Sequence, residues 1–212
     1  MKRGAVAVLV GMILAGCGAP RTEPAESAKP SFGGISSTTP DATDLARVKA
    51  EAGIEDCPKT RAPKTKTTKP KTDGLPGLVL DCLGGGPPVH LAGLPGEPTV
   101  INLWASWCGP CKKELPHFAK ADRELGDRVQ ILGIDFADDE PDAALELAKR
   151  AGVAYPLLFD PKSSVKADLK VVGLPQTVFV DAQGTIVATE RRAYRSYDDL
   201  TSAISKHLGV KP

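Results

Sequence analysis

Three observations predict an α/β layer fold with a central mixed β-sheet flanked by helices. Short apolar runs of strand length recur through the second two-thirds of the chain. Longer segments with helix start and stop signals alternate with them. Near the C-terminus, two strand-like runs are separated only by Ala182-Gln183-Gly184, a hairpin signal that adds antiparallel character. The chain has 212 residues and 42% hydrophobic content, enough for one domain plus extensions. A net charge of +1 argues against a dedicated nucleic-acid binder.

The elements follow in order. Residues 1–16 read as an export signal: Lys2 and Arg3 precede an apolar run from Ala5 to Leu14 that is too short to span a bilayer comfortably. It ends in Leu14-Ala15-Gly16-Cys17, which resembles the lipobox of bacterial lipoproteins. That resemblance implies lipidation of Cys17 and a membrane anchor at the extracytoplasmic face. The alternative is an ordinary secretory signal with an incidental cysteine. Both place the mature chain where disulfides persist. Residues 17–73 read as an extension in three parts. A Gly-, Pro- and Ser-rich tether runs to about residue 42. A short helix over Asp44 to Ala52 puts Leu45, Val48 and Ala52 on one face, with Gly53 to close it. Cys57-Pro58 then leads into a basic, Pro- and Thr-rich stretch, Lys59 to Lys71, that suits either a solvated loop or contact with an anionic surface.

Residues 74–212 carry the folded pattern. Strands are expected at Val79-Leu80 and Val89-His90-Leu91, around a Gly84-Gly85-Gly86-Pro87-Pro88 turn cluster, then at Thr99 to Leu103 and Val129 to Asp135. A helix is expected from about Cys108 to Leu125, stopped by Gly126. Another opens at Pro141 and closes at Gly152. Leu157 to Phe159 reads as a strand and Ser163 to Leu169 as a short helix. Thr177 to Asp181 and Thr185 to Glu190 form the hairpin. Ser196-Tyr197-Asp198-Asp199 reads as a capping box opening the last helix, through His207.

The chemistry concentrates at Trp104-Ala105-Ser106-Trp107-Cys108-Gly109-Pro110-Cys111, which follows a strand and opens a helix. Unpaired N–H groups and the helix dipole favour an anion there, so the thiol of Cys108 ionises readily and acts as nucleophile. Cys111, one turn further in, resolves the mixed disulfide. At these residues the chain resembles the thioredoxin superfamily, in particular its TlpA/ResA-like branch, over about Gly74 to Gly209. The match rests on the Cys-Gly-Pro-Cys segment with the following Lys112-Lys113-Glu114-Leu115-Pro116. It rests also on Gly173-Leu174-Pro175-Gln176-Thr177-Val178-Phe179-Val180-Asp181, and on the inserted helix over Asp142 to Ala151. The resemblance implies a cis Pro175 beside the dithiol, with the Leu174 backbone free to pair with substrate. It implies that Trp107, Gly109 and Pro110 line the substrate site, and that Pro116 kinks the helix.

The resemblance further implies thiol-disulfide exchange with exported disulfide- or thiol-bearing proteins. Reduction is favoured, as in cytochrome c maturation, with a membrane electron donor of the CcdA/DsbD kind. Oxidative disulfide formation is one alternative, and a non-catalytic binding lipoprotein another. Thioredoxin has a buried aspartate where this chain has Asn102. ResA-like proteins have a glutamate where Glu114 stands, which reads either as a carboxyl tuning the dithiol or as a surface residue. With Cys108 and Cys111 locally paired, Cys57 and Cys82 remain for a structural disulfide, with a second redox pair as the alternative. No cofactor and no metal are expected. A zinc module lacks a second ligand pair. The peroxiredoxin pattern would need Pro and Thr where Ile101 and Ala105 stand. His90, His117 and His207 show no ligand spacing, and His117 reads as facing away from the dithiol. Asp135, Asp138, Asp139 and Glu140 read as a solvated acidic loop with a helix N-cap.

Overall fold

The computed structural model describes residues 41–60, 73–94 and 96–212. The expected signal peptide, Cys17, the tether up to residue 40 and residues 61–71 of the basic stretch lie outside them. Among the described residues, no helix is long and apolar enough to cross a membrane.

Seven strands form one mixed sheet: β1 (Val79–Cys82), β2 (Val89–His90), β3 (Thr99–Trp104), β4 (Gln130–Phe136), β5 (Leu157–Asp160), β6 (Gln176–Val180) and β7 (Ile186–Glu190). Their spatial order is β2-β1-β5-β4-β3-β6-β7. β3, β4 and β5 are parallel, whereas β6, β7, β1 and β2 add antiparallel pairs at the two sides. Four α-helices accompany the sheet: α1 (Ala42–Ala52), α2 (Gly109–Leu125), α3 (Pro141–Ala151) and α4 (Tyr197–Leu208).

Both sheet faces are covered, which is why β3 and β4 read as nearly continuous apolar runs. Val100, Trp104 and Ile131 face a core built with residues of all four helices. Ile101, Leu103, Leu132 and Ile134 face a second core, shared with Val89, Leu91, Val165 and Leu169. The helix expected over Ser163 to Leu169 is instead a series of turns on that second face. The buried carboxylate of Asp160 takes the N–H groups of Ser164 and Val165, and Ser163 and Lys170 adopt left-handed φ of 57° and 50°. Side-chain capture of the backbone displaces the helical ladder.

Local signals govern most boundaries. α1 begins two residues earlier than the apolar period suggests, because Asp41 caps it by accepting from the Thr43 N–H. Gly53, Gly152 and Gly209 close α1, α3 and α4 in left-handed conformation. Ser196 caps α4 by accepting from the Asp199 N–H. α2 continues through Pro116.

The segment after α1 is docked rather than loose. Ile54 and Cys57 are buried, and the Glu55 N–H donates to the Ala154 carbonyl. Cys57 and Cys82 form a disulfide with Cα atoms 5.9 Å apart, joining this segment to the end of β1. Lys49 of α1 is only 5% exposed. Its Nζ donates to the Gly85 carbonyl at 2.8 Å, meets Asp56 at 3.0 Å and lies 3.4 Å from Cys82 Sγ.

Candidate active site

β3 and β4 end side by side, and both deliver residues to the dithiol. Beyond Trp104 the chain turns through Ala105-Ser106-Trp107 into α2. Cys108 is the helix N-cap: its Sγ accepts the Cys111 N–H at 3.3 Å. This is the donor arrangement that favours a sulfur anion at that atom. Cys108 and Cys111 are joined as a disulfide, with Cα atoms 5.3 Å apart. Cys111 is fully buried and Cys108 nearly so, whereas Gly109 and Pro110 are exposed. The exchangeable bond is thus reached from the Cys108 side. Trp107 stands 58% exposed beside it, its Nε1 donating to the Ala137 carbonyl.

The peptide bond Leu174–Pro175 is cis. Leu103 pairs with Gln176, so continuing the antiparallel register places Pro175 opposite Trp104, at the sheet end from which the CxxC segment departs. Pro175 is buried and Leu174 half-buried.

Glu114 is fully buried, so the surface reading of this residue is overturned. It lies one turn beyond Cys111 on the inner side of α2. Its Oε1 accepts from Asn102 Nδ2 at 2.8 Å, and its Oε2 accepts from the Tyr194 N–H at 3.1 Å. Burial pushes its pKa up to about 7 against the opposing pull of these two bonds. The amide at position 102 is therefore the hydrogen-bond donor to a buried carboxyl that sits on the helix rather than on the strand.

The acidic residues from the end of β4 onward are not a solvated loop. Asp135 and Asp138 are buried, and only Asp139 and Glu140 are exposed. Asp138 braces the active-site turn: one oxygen accepts the Ser106 N–H at 2.5 Å and the other the Glu140 N–H at 3.1 Å. Asp135 lies next to Trp104 across the parallel pair, and its buried carboxyl faces that of Asp138. Burial first, and the neighbouring Asp138 carboxylate second, raise its pKa well above the carboxylate range. The signal available in the sequence was an acid at the end of an apolar strand, Gly133-Ile134-Asp135-Phe136. His117 is half-buried and stands two turns along α2 from Pro110. It shares with Gly109, Pro110, Lys113, Tyr194 and Arg195 a groove beside the motif. Among the described residues, no three His, Cys, Asp or Glu side chains are grouped to hold a metal ion.

Residues 72–189 match the model of the AhpC/TSA family, more than half of the chain. The chain belongs to the AhpC/TSA family. It is 37% identical over 92 residues to the thiol:disulfide interchange protein DsbE of Allochromatium vinosum, covering 43% of this chain and 49% of that one. It is 32% identical over 127 residues to a DsbE homolog of Paracoccus denitrificans, covering 54% and 68%. It spans about half the length of the first curated relatives it matches. Among solved structures it is similar to dsbF of MTB, with a TM-score of 0.58, 26% identity and coverage of 66% of this chain and 100% of that one. A DsbF homologue from Corynebacterium diphtheriae gives 0.56 and 25%, covering 70% and 99%. The fold of this AhpC/TSA member is thioredoxin-like.

Proposed function

We propose that this AhpC/TSA-family chain is a thiol-disulfide oxidoreductase that reduces disulfides in exported proteins, those of cytochrome c maturation among them. The observation that carries the reading is Cys108 as the cap of α2, its sulfur facing the Cys111 N–H with Cys111 buried one turn behind. In the dithiol form, the Cys108 thiolate attacks one sulfur of a substrate disulfide. A mixed disulfide forms, and the departing substrate thiolate takes up a proton. Cys111 then loses its proton and attacks Cys108 Sγ, releasing the second substrate thiol and leaving the Cys108–Cys111 disulfide. Two electrons pass to the substrate. A membrane donor of the CcdA/DsbD kind returns them.

Glu114 suits the second step. A carboxyl whose pKa is near 7, on the same buried side of α2 as Cys111, can take the resolving thiol's proton at neutral pH. Trp107, Gly109 and Pro110 form the rim on which the substrate lies, and Leu174 offers its backbone to the substrate segment. Export and a lipid anchor on Cys17 would hold the domain at the extracytoplasmic membrane face. Cys57–Cys82 would serve as a structural bridge.

The reductant reading is supported by the Gly-Pro interior shared with reducing thioredoxins. It predicts a potential near about −270 mV for the Cys108–Cys111 couple, and a value above about −180 mV in a glutathione titration would refute it. Separately, Cys111→Ser should accumulate mixed disulfides through Cys108 with cystine-bearing proteins. Absence of any such adduct would remove the exchange activity itself.

A further inference from the structure

Beside the Cys108–Cys111 bond runs a groove of about 550 Å³, walled by Lys113, His117, Tyr194 and Arg195 and opening at Gly109 and Pro110. Two chain segments far apart in sequence make it. One is the outer side of α2, where Lys113 and His117 are one turn apart. The other is the loop before α4, held in place by the bond from the Tyr194 N–H to Glu114. Tyr194 also packs edge-on against Phe118, so this wall rests on the core.

The groove carries an excess of positive charge, which Asp199 offsets only at the Arg195 end. Lys113 and Arg195 are exposed, and neither forms an ion pair among the described residues. The nearby acids are shared with or taken by other partners. Arg192 takes both Glu190 and Asp199 at 2.8 Å, and Asp199 also accepts the Arg195 backbone N–H. Glu114 is buried behind the wall and faces Asn102 and Tyr194. Among the described residues no acidic side chain lines the groove itself, although the whole chain carries a net charge of only +1. A positive, partly apolar channel opening at the Gly-Pro turn complements an extended segment that carries carboxylates.

We propose that this groove selects substrates whose disulfide is flanked by acidic residues: the flanking carboxylates lie between Lys113, His117 and Arg195 while the cystine meets Cys108. The proposal rests on the thiol-disulfide reading and names its preferred substrate class. The contacts are between solvent-exposed charges, so they act mainly on encounter and weaken with salt.

The test uses three cystine peptides differing only in the flanking residues, Glu, Ser or Lys, and the reduced full-length protein. At low ionic strength the second-order rate should fall from Glu to Ser to Lys, by about tenfold end to end. The spread should shrink to about twofold near 0.5 M salt. Lys113→Glu combined with Arg195→Glu should reverse the order. Equal rates for the three peptides would overturn the proposal and leave the oxidoreductase reading standing. A second measurement keeps the two separable: the same peptides with Ser in place of Cys are titrated against the oxidised protein, followed by Trp107 fluorescence. If nothing is reduced yet the Glu peptide binds most tightly, the acidic preference of the groove survives and the exchange activity fails. Displacement of that peptide by an equal concentration of inorganic phosphate would make the groove a simple anion site and overturn the proposal.

Discussion

Replacing Glu114 by Gln isolates the titration of one buried carboxyl. The side chain is fully buried and keeps its shape in the variant. The hydrogen bonds can also be conserved. The oxygen of the introduced amide can accept the Tyr194 N–H. Its nitrogen can donate to Asn102 Oδ1, an oxygen with no hydrogen-bond partner among the described residues, once that amide turns over. What disappears is the proton equilibrium. Burial raises the Glu114 pKa from 4.5 to about 7, so the folded state holds this proton more tightly than the unfolded chain does. The stability linked to that proton is fully present below pH 4.5 and is lost as the pH rises through 7, a change of about 3 kcal/mol. The amide variant has no such loss. The stability of Glu114→Gln minus that of wild type should therefore rise by about 3 kcal/mol between pH 4.5 and pH 8. The assay is urea unfolding of both disulfide-form proteins across that range at fixed ionic strength. In this form the active-site thiols do not titrate, and contributions from other groups cancel in the difference. A difference that stays flat, or that favours Glu114 as the pH rises, would refute the burial argument.

Three further outcomes follow from the packing. Replacing Cys57 and Cys82 together by Ala opens a bridge of sequence separation 25 and should lower the unfolding free energy by about 3 to 4 kcal/mol, read from the urea midpoint. Asp138→Ala leaves the Ser106 and Glu140 N–H groups without their acceptor. It should cost about 1 to 3 kcal/mol and slow disulfide exchange by loosening the turn before Cys108, as followed by stopped-flow rates with a fixed cystine peptide. Gly133→Ala would place a methyl 2.5 Å from Leu157 Cδ2 and 2.9 Å from Trp104 Nε1. Overpacking of about 1 to 3 kcal/mol should appear as a lowered Tm with altered near-UV circular dichroism of Trp104.

The features that depend on near neighbours could be read from the chain alone. A dithiol with two residues between its cysteines after an apolar strand, Ser196 before a helix, Gly152 after one, and Ala182-Gln183-Gly184 between two strands are short-range signals, and each lies where the chain pattern placed it. Alternation of strands and helices sufficed for an α/β sheet, and the short Cys108–Cys111 spacing left Cys57 and Cys82 for the second bridge. Tertiary structure alone decided the ionisation and burial of the site. Glu114 meets Asn102 and Tyr194, 12 and 80 residues away, and its proton affinity follows from that enclosure. Asp138 reads as a loop acid until Ser106 is brought against it from another strand end. The 163–169 segment has helix-forming composition, yet the Asp160 carboxylate captures its first N–H groups. The physical reason is common to these cases. Helix and strand periods and caps are set within a few residues, whereas desolvation and hydrogen-bond partners come from whatever distant segment packs alongside.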